Sequence, residues 1–171
     1  MKKWFIFIVL TIIGFLIIFK KTDESYYNWI DEKISQTITG LSSMYKTIYD
    51  NIYKTFGELR NLDWKLLKAI ALTESNEDAS VIGDDGRSFG LMQVSLVVGN
   101  FYGMNKDDLL IPELNVQAGS AFLKEMIEKY GLEGGIQAYN LGQTKFRKGL
   151  TSPNYLKKVL DYYDKLKTIY V

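Results

Sequence analysis

The stretch from Leu66 to Val94, LLKAIALTESNEDASVIGDDGRSFGLMQV, places a carboxylate at the end of an apolar helical pattern and follows it with a polar loop. Three apolar residues share one helix face with Glu74 at the spacing i, i+3, i+4 and i+7: Leu67, Ile70 and Ala71. We expect this face to be buried, and a buried glutamate is costly unless it is paired or protonated. Because burial raises the pKa of a carboxyl group, Glu74 is a candidate general acid near neutral pH.

The polar loop after Glu74 is spaced by Gly83, Gly86 and Gly90. Glycines let a backbone turn tightly and approach a ligand closely, so this loop is a candidate substrate-holding element. The alternative is that Glu74 lies at a frayed helix end and pairs with a cation such as Arg87. Structural ion pairs also perturb pKa values, so the helix pattern alone leaves both interpretations open.

Three short motifs follow one another along the chain: Glu74-Ser75, Gly90-Leu91-Met92-Gln93 and Ala138-Tyr139-Asn140. In order and spacing they resemble the signatures of the lytic transglycosylase and goose-type lysozyme superfamily, including the small specialised enzymes of secretion machines and phage particles. Two further stretches are similar to that family: Pro112-Glu113-Leu114-Asn115-Val116 and the run around Tyr155. The resemblance covers residues 60 to 165 and does not extend to the N-terminal part of the chain.

The resemblance implies a mainly α, lysozyme-like fold and cleavage of peptidoglycan between N-acetylmuramic acid and N-acetylglucosamine. Glu74 would protonate the glycosidic oxygen and then act as a base. The resemblance also implies a substrate-binding set: Ser75, Asp84, Gln93, Tyr139, Asn140 and Tyr155. In this set Gln93 and Tyr139 would contact sugar amides and hydroxyls, and Asn140 would support the site from behind. Taken singly, these three are more typical of a surface glutamine, a core tyrosine and a helix-capping asparagine, and it is the shared order of the motifs that favours the functional interpretation.

The number of carboxylates separates two mechanisms. Lytic transglycosylases use one, with the muramyl 6-hydroxyl attacking its own anomeric carbon, whereas many glycosidases use two. Asp84 matches an aspartate of goose-type lysozymes, but Ser95 stands where those enzymes carry another. We therefore expect a transglycosylase; a hydrolase using Glu74 with Asp84 is the alternative, and Asp84 and Asp85 are also ordinary turn residues. Two departures from the family pattern are Ser95-Leu96 in place of Met-Pro and Leu141 in place of alanine.

The composition narrows the possible chemistry. The 171 residues include no cysteine and no histidine, and the net charge is +1. Disulfides, Cys- or His-based zinc sites and histidine-activated nucleophiles are thereby excluded. We expect no cofactor and no metal, and the charge gives no reason to expect nucleic acid as a partner.

Residues 4–19, WFIFIVLTIIGFLIIF, contain no charge and lie between two pairs of lysines. Such a helix is about 24 Å long, slightly short of a hydrocarbon core of about 30 Å, and snorkelling lysines compensate. A cleaved signal peptide is the alternative, although no small-x-small cleavage site follows. We expect a retained single-pass anchor over residues 1–21. The substrate then places the catalytic domain on the non-cytoplasmic side, in the periplasm or on a phage virion membrane.

Residues 26–59 carry apolar side chains at intervals of three and four: Tyr27, Ile30, Ile34, Ile38, Leu41, Tyr45, Ile48, Ile52, Phe56 and Leu59. This pattern predicts one long amphipathic, coiled-coil-like helix, weakened at Gly40. It would either pack on the catalytic domain or act as a stalk for self-association or for envelope or virion partners. The predicted domains are thus 1–21, 22–60 and 61–171. A structural membrane protein and an inactive binding module are the remaining alternatives.

Capping and glycine signals predict the other helix boundaries. Asp63 caps a helix that runs to Thr73 or Glu74. A short helix covers residues 90–99, and a longer one opens at Pro112 or Glu113 and ends at Gly131. Another short helix holds Tyr139 and Asn140, and Ser152-Pro153 starts the last one. Strands are expected only as short pieces near residues 81 and 82.

Overall fold

The computed structural model describes residues 24–170, which are mainly helical. Its helices are α1 (Glu24–Tyr45), α2 (Asp50–Arg60), α3 (Trp64–Glu74), α4 (Leu96–Phe101), α5 (Pro112–Leu141), α6 (Gln143–Arg147) and α7 (Pro153–Ile169), with a 3-10 turn at Asp108–Leu110. Its strands are β1 (Ile82–Gly83), β2 (Ser88–Phe89) and β3 (Val94–Ser95). The mainly helical fold class predicted from the sequence is confirmed.

The predicted membrane anchor at residues 4–19 lies outside the described residues. Between residues 24 and 170, the structure contains no helix long and apolar enough to cross a bilayer. Packing divides the chain after Leu41 into two compact units. The predicted domain boundary after residue 60 lies inside the second unit, because α2 packs on both α3 and α5.

The single long helix predicted over residues 26–59 is wrong, because the structure contains two helices separated by residues 46–49. Ile48, which the apolar pattern placed in the buried stripe, is 84% exposed. The reason is tertiary: the Asp50 carboxylate accepts hydrogen bonds from the Thr47 backbone and hydroxyl at 3.4 and 3.2 Å and turns inward to the buried Lys68. An ion pair with α3 therefore fixes where α2 begins.

The core is built around α3, whose residues Leu66 to Leu72 are all buried. This helix packs on α2 and α7, and its apolar side chains join those of α5 and α7 in one cluster. Asp63 caps it by accepting a hydrogen bond from Lys65 N at 3.0 Å, which confirms the predicted start. Because α3 ends at Glu74, two residues after its last buried position, the carboxylate lies at the edge of the core.

The helix α5 bends at Gly131, where φ is 72° and ψ is 176°. The sequence predicted an end there and a separate short helix beyond, and the bend separates those two pieces. The second piece folds tightly onto the first: a Cβ at Gly135 would lie 2.6 Å from the Cα of Ile127. Only glycine permits this approach. The fold-back brings Tyr139, near the end of α5, to the core beside Met92.

The three strands form a small antiparallel sheet in the order β1-β2-β3. Ile82 pairs with Phe89, and Phe89 pairs in turn with Val94. The short helix predicted for residues 90–99 starts later, at Leu96, because Val94 and Ser95 form the third strand. The Ser95 hydroxyl accepts a hydrogen bond from Val98 N at 3.3 Å and caps that helix.

The last helix, α7, begins at Pro153 as predicted. The predicted cap is wrong in one respect, because the Ser152 side chain makes no capping hydrogen bond. Its backbone N–H instead donates to Gln137 Oε1 at 3.0 Å, which ties the start of α7 to the second piece of α5.

Candidate active site

Glu74 is the last residue of α3 and lines a cavity of about 480 Å³. Burial raises its pKa to about 7, and the nearby charge of Asp84 adds to the increase. Two contacts act in the opposite direction: a hydrogen bond from Tyr155 and the charge of Lys158. The result is a carboxyl group that is half protonated near neutral pH and faces a space of ligand size.

Tyr155, on α7, contacts the candidate acid directly. Its hydroxyl donates to Glu74 Oε1 at 2.6 Å across a separation of 81 residues. Burial and the charge of Glu74 raise the pKa of Tyr155 well above its usual range, so the hydroxyl remains a donor. One turn further on, Lys158 Nζ donates to Thr73 O at 3.0 Å and holds α7 against the end of α3. Tyr155 does not line the cavity, so the structure places it against Glu74 and not against the space that a substrate would occupy.

The motif Gly90 to Gln93 forms a tight turn braced by Asn115. Gly90 has φ 71°, and a Cβ there would lie 2.5 Å from Leu109 O. Asn115 is fully buried; its amide donates to Phe89 O and Leu109 O at 2.7 Å each, and its Oδ1 accepts from Met92 N at 2.8 Å. Sequence reasoning placed Asn115 in a family-like run without a role. A polar side chain among apolar neighbours was the available signal.

Gln93 lines the cavity with a backbone φ of 45°. Its side-chain amide donates to Val81 O at 3.0 Å and to Gly90 O at 2.9 Å. Its Oε1 lies 2.3 Å from where a Cβ of Gly83 would be, so a larger residue at position 83 would displace the Gln93 carbonyl oxygen. The donors of Gln93 are thus used to hold the loop, and only its carbonyl oxygen is left for a sugar.

Tyr139 and Asn140 both line the cavity but differ in burial. Tyr139 is buried; its hydroxyl donates to Met92 O at 2.8 Å, and its ring packs against Phe122 at a centroid distance of 5.5 Å. Asn140 is exposed at the cavity wall, which differs from the prediction that it supports the site from behind. Ser75 does not line the cavity, and its hydroxyl donates to Leu91 O at 2.8 Å.

Asp84 lines the cavity, and its Oδ2 accepts a hydrogen bond from the Ser88 hydroxyl at 2.8 Å. The alternative pairing of Glu74 with Arg87 is wrong. Arg87 Nε donates to Asp84 O at 2.8 Å, and its Nη2 lies 3.9 Å from the exposed Asp85 carboxylate. Sequence reasoning missed other lining residues, among them Ser88, Phe122 and Lys145. Between residues 24 and 170, no group of acidic side chains is arranged to hold a metal ion.

The chain is similar to known proteins over the region that forms this site. The family model "Transglycosylase SLT domain" matches residues 51–162. The chain is 32% identical over 119 residues to the invasion protein IagB of Salmonella typhi and of Salmonella typhimurium, covering 63% of this chain and 71% of each relative. The motif-based resemblance is thereby confirmed.

Solved structures show the same fold. The soluble lytic transglycosylase SLT70 of Escherichia coli matches 75% of this chain with a TM-score of 0.56 and 20% identity. An inactive mutant of the lytic transglycosylase Slt of Pseudomonas aeruginosa matches 73% with a TM-score of 0.54 and 16% identity. The chain spans about a quarter of each, 24% and 23%. The family match covers more than half of the chain and contains the acid, the glycine turn and Tyr155. The chain therefore belongs to the SLT transglycosylase family, the lytic transglycosylases that act on peptidoglycan.

Proposed function

We propose that this enzyme cuts the β-1,4 bond between N-acetylmuramic acid and N-acetylglucosamine with Glu74 as its single acid and base. The observation that carries the proposal is the pKa of about 7 that burial gives Glu74 at the cavity wall. A group with that pKa is protonated often enough to act as an acid and is ionised often enough to act as a base afterwards.

The reaction then proceeds without water. Glu74 donates its proton to the glycosidic oxygen as the bond from that oxygen to the anomeric carbon breaks, and N-acetylglucosamine leaves with the proton. The muramyl 6-hydroxyl oxygen bonds to the same anomeric carbon with help from the N-acetyl group, and Glu74 takes the hydroxyl proton. The product is a 1,6-anhydro end, and Glu74 regains its starting protonation state.

The surroundings of the second carboxylate favour this mechanism over hydrolysis. The carboxylate of Asp84 is held by Ser88, and its charge contributes to the raised pKa of Glu74. At the position where goose-type lysozymes carry a further aspartate, the Ser95 hydroxyl is used as the cap of α4. This second site therefore offers no carboxylate to hold a water molecule.

Mass spectrometry of products from purified peptidoglycan tests the proposal. We expect 1,6-anhydro products, and a loss of about 10²–10⁴-fold in turnover for Glu74→Gln with glycan binding retained. Asp84→Asn should slow the enzyme moderately by loosening the loop, and Asp85→Asn is the matched control because its side chain is 99% exposed. Products heavier by one water, with Asp84→Asn as inactive as Glu74→Gln, would instead support the goose-type hydrolase.

We also propose that residues 4–19 anchor the enzyme in a membrane, with the catalytic unit on the non-cytoplasmic side. There it would open the wall locally, either for an envelope machine or for phage entry. Within residues 26–59, α2 packs on α3 and α5, so α1 is the part that would contact partners or a second copy. Protease accessibility in spheroplasts and sequencing of the mature N-terminus test the anchor. A mature N-terminus after Lys21, or a catalytic unit protected from external protease, would contradict it.

A further inference from the structure

A buried ion cluster lies behind the loop that follows Glu74. Lys68 Nζ, whose side chain is fully buried, contacts Asp50 Oδ1 at 2.5 Å and Glu77 Oε1 at 3.1 Å. The two carboxylate side chains are only 6% and 7% exposed. Two hydroxyl groups complete the cluster. That of Thr47 is shared between Glu77 Oε1 at 3.1 Å and Asp50 Oδ1 at 3.2 Å, and that of Tyr170 donates to Asp50 Oδ2 at 3.0 Å. None of these groups lines the cavity.

The loop between Glu74 and this cluster has an unfavourable backbone conformation. Asn76 and Glu77 both have positive φ, 55° and 61°, in the left-handed region that is uncommon for residues other than glycine. Such a conformation persists only where the surrounding contacts impose it. Backbone hydrogen bonds from Ser75 and Glu77 to Ala71 O hold the loop against the end of α3. Two side-chain contacts tie it to other parts of the fold: the Ser75 hydroxyl donates to Leu91 O, and the Glu77 carboxylate accepts from Lys68.

Because the loop begins at the residue after Glu74, its conformation sets where α3 ends and where the Glu74 side chain points. We propose that Glu77, through its ion pair with Lys68, is a positioning residue that holds Glu74 against Tyr155 and the cavity. This inference rests on the proposed role of Glu74 as the acid. Glu77 itself does not touch the substrate cavity.

Asp50 provides a matched control for this proposal. It contacts the same ammonium group and is equally buried, but it lies on α2 and not on the loop that follows Glu74. A role confined to stability predicts the same outcome for Asp50→Asn and Glu77→Gln. A positioning role predicts that only Glu77→Gln changes the chemistry.

Steady-state kinetics on soluble glycan fragments separates the two roles. The full chain is used, and each variant is measured across pH below its own unfolding temperature. For Glu77→Gln we expect kcat to fall about tenfold with KM within about twofold. We also expect the basic limb of the kcat profile to move to lower pH, because a displaced Glu74 gains water. The charges that shift the pKa of Glu74 are those of Asp84 and Lys158, so this movement would report position and not the lost charge of Glu77. For Asp50→Asn we expect wild-type kcat and an unmoved limb.

A second variant covers the case in which Glu77→Gln does not fold. Glu77→Asp keeps the charge but shortens the reach to Lys68, so we expect it to fold and to show the same changes in smaller measure. Wild-type kcat and an unmoved limb in the folded Glu77 variants, or an equal loss in Asp50→Asn, would overturn the proposal. Glu74→Gln is measured alongside: wild-type turnover there overturns the proposed function and this inference together, whereas an inactive Glu74→Gln confines the failure to the role of Glu77.

Discussion

Replacing Glu74 with glutamine should stabilise the fold above neutral pH, although it removes the proposed catalytic acid. The Glu74 carboxyl has a pKa of about 7 in the fold against an ordinary value of 4.5, and burial is the main cause. Between these two values the unfolded chain has released the proton while the folded chain still holds it. The folded state therefore loses stability as pH rises from 4.5 to 7, and above 7 the loss is complete.

The size of this effect follows from the difference between the two pKa values. Each pKa unit corresponds to about 1.4 kcal/mol, so the full loss is about 3 kcal/mol. Glutamine has a similar shape and never ionises, so the variant does not incur this loss. At pH 4, where glutamate is protonated in both states, the two proteins should be about equally stable. At pH 8.5 the variant should be more stable by about 3 kcal/mol, or by about 10 °C in Tm for a unit of this size.

Thermal unfolding followed by circular dichroism, on the full chain in detergent from pH 4 to 8.5, measures the difference. Comparing the two proteins at each pH cancels the contribution of every other titrating group. Asp85→Asn serves as the control, since the Asp85 side chain is 99% exposed and its replacement should give a small difference with little pH dependence. A difference between wild type and Glu74→Gln that does not change with pH would show that Glu74 is not buried as described, and a lower stability of the variant at pH 8.5 would refute the reasoning.

Two further variants test the surroundings of the acid. Tyr155→Phe removes the hydrogen bond that lowers the pKa of Glu74, so the basic limb of the kcat profile should move to higher pH. Tyr163 also lies on α7, but its hydroxyl donates to Asp63, the residue that caps the start of α3, so Tyr163→Phe should leave the limb unmoved. A shift of equal size in both variants would contradict this assignment. Gly90→Ala should cost more than about 3 kcal/mol of unfolding free energy, because its Cβ would lie 2.5 Å from a backbone oxygen. Gly86 has a similar positive φ and a Cβ there would meet nothing within 4 Å, so Gly86→Ala should cost only about 1 kcal/mol. Equal losses of unfolding free energy in the two variants would show that backbone strain, and not the contact with Leu109 O, limits the turn at Gly90.

Local sequence signals predicted those parts of the fold that depend on local physics. The cap at Asp63, the start at Pro153 and the buried face of α3 were all readable, because each depends on residues within one or two helical turns. The glycine turn at Gly90 was predicted as a ligand-holding loop for the same reason. Its brace, Asn115, lies 26 residues from Phe89, and no local pattern connects the two.

The ion cluster around Lys68 shows more clearly what the spacing of apolar residues cannot predict. Lys68 lies within the apolar run of α3, where a pattern of apolar and polar residues counts it as a solvent-facing position. The structure buries it completely, because its partners come from 18 residues before it and 9 residues after it. The ion pair between Lys68 and Asp50 also fixes the start of α2, and the spacing of apolar residues over 26–59 did not predict that interruption. A charge can be buried only where tertiary partners meet it, and local sequence does not show those partners.

The folded unit extends past the family match at both ends, and the extensions meet behind the active site. The match covers residues 51–162, whereas Asp50 precedes it and Tyr170 follows it. These two side chains hydrogen-bond to each other, and the Tyr170 ring packs edge-on against Trp64 at the start of α3. The helix that carries Glu74 is thus held at its start by the C-terminal residues and at its end by Tyr155. Two of the groups that shift the pKa of Glu74, Tyr155 and Lys158, lie on α7, so the pKa of about 7 depends on the packing of α7 against α3.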